Sequence, residues 1–95
     1  MPNYELVYIV SPEVTDEELP DVLNKVDEAV GKTEGSVIEV AQWGRKKFAY
    51  PIKRFLEGNY VYTKLDIKPA STKELEVNLS LSDNILRHLL IRLQE

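Results

Sequence analysis

The sequence predicts an α+β fold in which four antiparallel strands form one sheet and two helices cover one of its faces. Three observations support this prediction. Several stretches are rich in β-branched and aromatic residues, as strands are, and two stretches have the apolar periodicity of helices. Turn residues separate these stretches, and the order of the predicted elements along the chain is β-α-β-β-α-β. Because 95 residues are enough to bury one core, we expect residues 1–95 to form a single domain.

The first strand and the first helix have clear signals. Residues 4–10 are apolar on both faces and end at Ser11-Pro12, as expected for a central strand. Thr15 and Glu18 match a capping box, in which each side chain bonds the other residue's backbone N–H. Apolar residues then follow at helical spacing: Leu19, Val22, Leu23, Val26 and Val30. Pro20 predicts either a lost hydrogen bond or a helix start shifted by a few residues.

The second half of the chain repeats this order after a hairpin. Residues 36–42 and 45–52 read as one long strand, and Gly44 between them predicts a bulge. Residues 57–59 predict a turn, and residues 60–67 alternate as a third strand. A second capping-box match at 71–74 predicts a helix to about residue 80, and residues 85–93 read as a fourth strand.

Two right-handed crossovers joined by a hairpin make this a ferredoxin-like arrangement, which leaves one sheet face without helices. We call this the open face. If Leu6 and Tyr8 point to the helices, the pleat predicts an apolar surface on the open face: Val7, Ile9, Tyr60, Tyr62, Leu89 and Ile91. Exposed apolar surfaces of this extent usually bind a partner protein. The alternative is that one strand has been assigned a register wrong by one residue, in which case its residues in this set face the core instead. The glycine-aromatic signature of RNA-recognition modules is missing around Tyr60.

Positive charge is concentrated in one segment of an acidic chain. The net charge is −4, yet residues 45–54 contain five cations and no acid, so the rest of the chain carries −9. We call these five residues the basic arm: Arg45, Lys46, Lys47, Lys53 and Arg54. They can bind phosphates beside Phe48, Tyr50 and Phe55, or they can protect an exposed strand edge from aggregation. Five cations neutralise only a few phosphates, so RNA binding through this arm would need a partner with more positive charge.

The segment WGRKKFAYPIKRFLEGNYV resembles the family of the sixth protein of the bacterial small ribosomal subunit, as do Tyr4-Glu5, Ser11-Pro12 and the segment 81–87. The resemblance covers about residues 2–93, without the charged tail of many family members. It implies a structural ribosomal protein in the cytoplasm that binds the central domain of small-subunit ribosomal RNA together with the eighteenth small-subunit protein. It also implies that the basic arm and Arg87 face RNA and that the apolar surface faces the partner protein.

Enzyme chemistry has little support in the sequence. The chain has no cysteine and a single histidine, His88, and it carries no metal-ligand spacing, phosphate-binding loop or dinucleotide motif. We therefore predict no enzyme activity, cofactor, metal or small-molecule substrate. No segment is long and apolar enough to span a bilayer, and no signal peptide is recognisable. The alternative is a dimeric ferredoxin-like ligand-binding module or a small cofactor-free enzyme, with His88 or Arg87 as its catalytic candidates.

Overall fold

The computed structural model describes residues 1–93 and confirms the predicted order of elements. A short 3₁₀ turn, Pro69–Ser71, precedes the second helix. The elements are β1 (Asn3–Val10), α1 (Leu19–Lys32), β2 (Ser36–Ile52), β3 (Phe55–Asp66), α2 (Thr72–Ser80) and β4 (Ile85–Arg92). The four strands form one antiparallel sheet in the order β2-β3-β1-β4, so β2 and β4 are its edges. Within the described residues, no helix has the length and apolar character needed to cross a membrane.

The main core lies between the sheet and the two helices. Leu6, Tyr8 and Val10 of β1 are fully buried there, and they alternate with side chains of the open face. The predicted stripe of α1 packs on them, although Leu23 is only partly buried. Fully burying one aliphatic side chain stabilises the fold by about 1.5–3 kcal/mol. A register slip that exposed this set is therefore strongly disfavoured, and the faces of β1 are fixed.

The predicted capping box lies one turn before α1. The Thr15 N–H donates to Glu18 Oε1 at 3.1 Å, and the Glu18 N–H donates to Thr15 Oγ1 at 3.2 Å. These hydrogen bonds hold the pKa of the Glu18 carboxyl below its usual value. The helix itself begins at Leu19, with Pro20 inside its first turn, where a missing N–H costs no helical hydrogen bond. The shifted start predicted from Pro20 is confirmed.

The predicted capping box of α2 is wrong. Ser71 makes no side-chain capping bond, and the Thr72 hydroxyl instead donates to the Pro69 carbonyl at 2.9 Å. The reason is the 3₁₀ turn before the helix. It places Ser71 at φ −95° and ψ −5°, whereas a capping serine needs an extended backbone.

The hairpin turn differs from the predicted one. The chain reverses at Lys53 and Arg54, and β3 already begins at Phe55, so residues 57–59 lie inside a strand. Both turn residues have positive φ, 47° and 70°, as a two-residue type I′ turn requires. Asparagine and glycine favour this geometry, so Lys-Arg carries little turn signal. Gly58 is needed in the strand because a Cβ there would lie 2.6 Å from Ile9 Cγ2.

The bulge predicted at Gly44 is confirmed. The β2–β3 register shifts between Gln42 and Gly44, and Gly44 has φ +87°, a left-handed value that favours glycine. Trp43 is the extra residue of this bulge. A second irregularity follows, because four residues of β2, 48–51, stand opposite one residue of β3, Leu56. The end of β2 is therefore lifted from the regular ladder.

Candidate RNA and protein interface

The strand register arranges the open face as three rows of side chains that cross all four strands. Directly paired residues share a face, so each row follows from the pairing of β1 with β3 and β4 and of β3 with β2. The first, the acidic row, contains Glu39, Lys64, Glu5 and Ile91. The second, the apolar row, contains Ala41, Tyr62, Val7 and Leu89. The third, the arginine row, contains Gly44, Tyr60, Ile9 and Arg87. The register thus confirms that Arg87, Leu89 and Ile91 share the open face with Val7.

The predicted apolar surface is present with one exception. Leu89 and Ile91 are about half exposed, and Val7, Tyr60 and Tyr62 are half-buried. Ile9 is only 7% exposed, so including it in the surface was wrong. The end of the hairpin folds over it and forms a second, smaller hydrophobic cluster on the open face: Ile9, Ile52 and Leu86, with Phe48, Phe55 and Tyr60 packed against them.

Trp43 belongs to the open face, and our sequence interpretation missed it. Its ring stacks on Tyr62 with centroids 5.5 Å apart and planes 13° apart, and it is 48% exposed. Lys46 Nζ lies 5.5 Å from the Trp43 ring centroid and 5.7 Å from that of Tyr60, within cation–π distance. Gly44 was the available signal, because a bulge there turns the preceding side chain out of the regular alternation.

One end of the open face is acidic. The Tyr62 hydroxyl donates a 2.6 Å hydrogen bond to Glu5 Oε2. This bond, with smaller effects of desolvation and of the charges on Glu5 and Glu39, raises the pKa of Tyr62 to about 12. Two carboxylates therefore lie near the Tyr62 hydroxyl, on the side of the apolar row away from Arg87, and with Lys64 paired between them their row carries a net charge of −1. This end of the face complements a cationic partner better than it does a phosphate.

The six cations predicted to face RNA are not equivalent. Arg45 forms an ion pair with Glu57 at 3.2 Å and donates to the Pro12 carbonyl at 3.4 Å. Arg54 lies 3.6 Å from a Glu13 carboxylate oxygen and covers the Phe55 ring at 4.6 Å. Within residues 1–93, the other four form no ion pair within 4.0 Å: Lys46, Lys47, Lys53 and Arg87. All six residues are exposed, and the set divides into two arginines with a carboxylate partner and four cations without one.

The positions of these cations leave both interpretations of the basic arm open. Arg45, Lys46 and Lys47 lie on β2, which is an edge strand, so the geometry suits edge protection as well as phosphate binding. Arg87 lies on β4, at the opposite edge of the sheet. The lifted end of β2 nevertheless brings Lys47 and Arg87 to one depression on the open face.

The candidates of the enzyme alternative have ordinary structural surroundings. His88 is paired with Tyr8 and so lies on the helix side of the sheet, where its Nε2 is 3.3 Å from Glu76 Oε1. In the part of the chain that the structure describes, no three metal-ligating side chains come together.

Comparison with known proteins assigns the family. The family model described as Ribosomal protein S6 matches residues 3–92. The chain belongs to the ribosomal protein S6 family. Among curated S6 relatives, small ribosomal subunit protein bS6 of Clostridioides difficile (strain 630) is 43% identical over 91 residues, covering 96% of this chain and 98% of that protein. Protein bS6 of Moorella thermoacetica is 37% identical over 95 residues, covering 100% and 97%.

Solved structures agree with the S6 assignment. The crystal structure of 30S ribosomal protein S6 from Thermotoga maritima superposes with a TM-score of 0.90 at 29% identity, covering 97% of this chain and 87% of that one. The P2 domain of the chemotaxis kinase CheA superposes with a TM-score of 0.61 at 14% identity, which shows a shared fold alone. The family resemblance predicted from the sequence is confirmed. As an S6 family member the chain is a ribosomal protein of the small subunit, and the prediction that it is not an enzyme is confirmed by its family.

Proposed function

We propose that this chain, acting as one domain, binds the central domain of small-subunit ribosomal RNA cooperatively with the eighteenth small-subunit protein. The observation that carries the proposal is the charge gradient along the open face. Glu5 and Glu39 lie at one end, the apolar row follows, and Arg87 lies at the other end with Lys46 and Lys47 of the basic arm. The apolar and acidic part receives the basic protein partner, and the cationic part receives phosphates.

The number of unpaired cations explains why binding is cooperative. Four unpaired cations neutralise about four phosphates at most, and purely electrostatic binding of this kind is weak, with Kd of about 10⁻⁴–10⁻⁶ M at physiological salt. A basic partner seated on the apolar row adds its own phosphate contacts beside those of the basic arm. The joint surface then binds more tightly than either protein alone.

Filter binding with and without the partner protein tests this proposal. We expect weak RNA binding by the chain alone and tight, salt-sensitive binding after the eighteenth protein is added. Equal affinity in both conditions would contradict the cooperative mechanism. The double reversal K46E/K47E should weaken the ternary complex, whereas the matched double reversal K25E/K73E, at exposed positions of α1 and α2, should not. A ternary complex indifferent to K46E/K47E would leave edge protection as the role of these lysines.

The protein surface is tested separately. Leu89 is 58% exposed on the apolar row, and Leu81 is 76% exposed beyond α2, away from that row. We expect L89D to abolish partner binding because it places a charge within a desolvated apolar contact, and we expect L81D to retain it. Partner binding that survives L89D would place the partner elsewhere on the chain. Isothermal calorimetry with the partner alone measures the difference.

A further inference from the structure

The lifted end of β2 creates a depression on the open face. Its volume is about 270 Å³, close to the lower limit of about 300 Å³ for small-molecule sites. Its lining includes three aromatic residues, Phe48, Tyr50 and Tyr60, and two buried aliphatic residues, Ile9 and Ile52. Phe48 and Tyr60 pack on each other at 6.2 Å between centroids. Tyr50 lines this depression and is 62% exposed, so it is accessible to an incoming group.

The charges around this depression are all positive. Lys47 reaches it from β2 and Arg87 from β4, and no acidic side chain lines it within the described residues. A larger depression of about 480 Å³ near the hairpin turn makes a contrast. It also contains two cations, Lys53 and Arg54, but three acids line it as well: Glu13, Glu18 and Asp83. An anionic ligand with a flat apolar part is therefore favoured at the first depression and opposed at the second.

We propose that the first depression receives one unpaired nucleotide of the bound RNA, with its base against the Tyr50 ring and its flanking phosphates at Lys47 and Arg87. This inference rests on the proposed function and adds a defined ligand to it. Unpaired bases stack on aromatic side chains because every base has an apolar face, and cations on either side hold the backbone. The small volume excludes a paired segment, whose bases are stacked and inaccessible.

Substitutions at Tyr50 test the base contact in the ternary complex with RNA and the eighteenth protein. Loss of one base–aromatic stack weakens binding by about 5- to 150-fold, which is our expectation for Tyr50→Ala. Tyr50→Phe keeps the ring and should bind like the wild type. Leu56→Ala is the matched control, because Leu56 is 66% exposed on the same hairpin and does not line the depression. Thermal unfolding shows whether each variant is folded.

Photocrosslinking of the wild-type complex tests the occupant without any substitution. With 4-thiouridine in the RNA, we expect mass spectrometry to find a nucleotide attached to Tyr50 or Tyr60. Two results would overturn the inference while the proposed function remains valid. One is a crosslink from Tyr50 to the partner protein instead of RNA, and the other is an RNA affinity of Tyr50→Ala equal to that of Leu56→Ala. If the wild-type chain does not bind RNA even with the partner, the proposed function itself fails.

Discussion

The salt dependence of RNA binding gives a quantitative test of the cation geometry. Each phosphate neutralised by a lysine or arginine releases counterions, which changes the slope of log K against log salt by about −0.7 for single strands and −0.9 for duplex DNA. If all six predicted cations bound phosphates, this chain would contribute about −4.2 to −5.4 to the slope of the ternary complex. Arg45 and Arg54 already contact Glu57 and Glu13, so we expect about −2.8 to −3.6 instead.

Single substitutions separate these two values. Lys47 has no ion pair within 4.0 Å in the described part of the chain, so Lys47→Gln should make the slope shallower by about 0.7–0.9. Arg45→Gln should leave the slope nearly unchanged, because the Glu57 carboxylate 3.2 Å away offsets the charge of the Arg45 guanidinium. Glu57→Gln should have the opposite effect to Lys47→Gln. It removes the carboxylate that offsets the Arg45 charge, and loss of this exposed ion pair lowers the free energy of unfolding by only about 0.2–1 kcal/mol.

The assay is filter binding of labelled RNA at several KCl concentrations, with saturating partner protein so that its own contribution cancels between variants. Lys73→Gln, on the exposed side of α2, controls for the general loss of one positive charge. An equal slope change for Arg45→Gln and Lys47→Gln would refute the division into paired and unpaired cations. A slope unaffected by Lys47→Gln would remove that lysine from the RNA contact altogether.

Two further predictions concern the sheet that carries the site. Gly58→Ala places a Cβ 2.6 Å from Ile9 Cγ2 and should destabilise the fold by about 1–3 kcal/mol in chemical denaturation. Gly31→Ala, in α1 with nothing within 4 Å, should stabilise it by about 0.5–1 kcal/mol; destabilisation of both by the same amount would contradict the packing argument. Glu5→Gln should lower the pKa of Tyr62 from about 12 towards its usual value of 10.0, as followed by NMR of ring-labelled tyrosine. Because the pKa of Tyr62 is raised in the folded state, the Tyr62–Glu5 hydrogen bond stabilises the fold below pH 10, and this stabilisation is lost as the pH rises through 12. An unchanged Tyr62 pKa in Glu5→Gln would show that the hydrogen bond does not cause the raised pKa.

The elements that were predictable from the sequence are those whose burial pattern repeats. In β3, Val61, Thr63 and Leu65 are buried, and the residues between them are not. That period of two is visible in the sequence because one face of β3 packs on the helices. The stripe of α1 is visible for the same reason, with a period of 3.6. Local composition and tertiary packing agree in these segments, so periodicity alone was sufficient.

The hairpin was mispredicted because its turn and its glycine act through tertiary packing. Lys53 and Arg54 adopt positive φ without the residues that favour it, and Gly58 lies in a strand because β1 approaches it closely. A single sequence does not reveal such an approach, so Gly58 read as a turn residue. The same folded-over hairpin end buried Ile9 and formed the Tyr50 depression. The site therefore differs from its prediction where distant segments meet.

The acidic net charge of the chain is compatible with RNA binding because its charges are separated in space. Glu5 lies four residues along β1 from Ile9, which is paired with Arg87, so the acidic and arginine rows are roughly 14 Å apart at 3.4 Å per residue. The Debye length at physiological ionic strength is about 8 Å, so a phosphate at Arg87 is largely screened from Glu5. At 0.01 M salt the Debye length grows to about 30 Å, and the acids then act on the same phosphate. The plot of log K against log salt should therefore flatten at low salt, where the attraction of the basic arm and the repulsion of the acidic row begin to oppose each other.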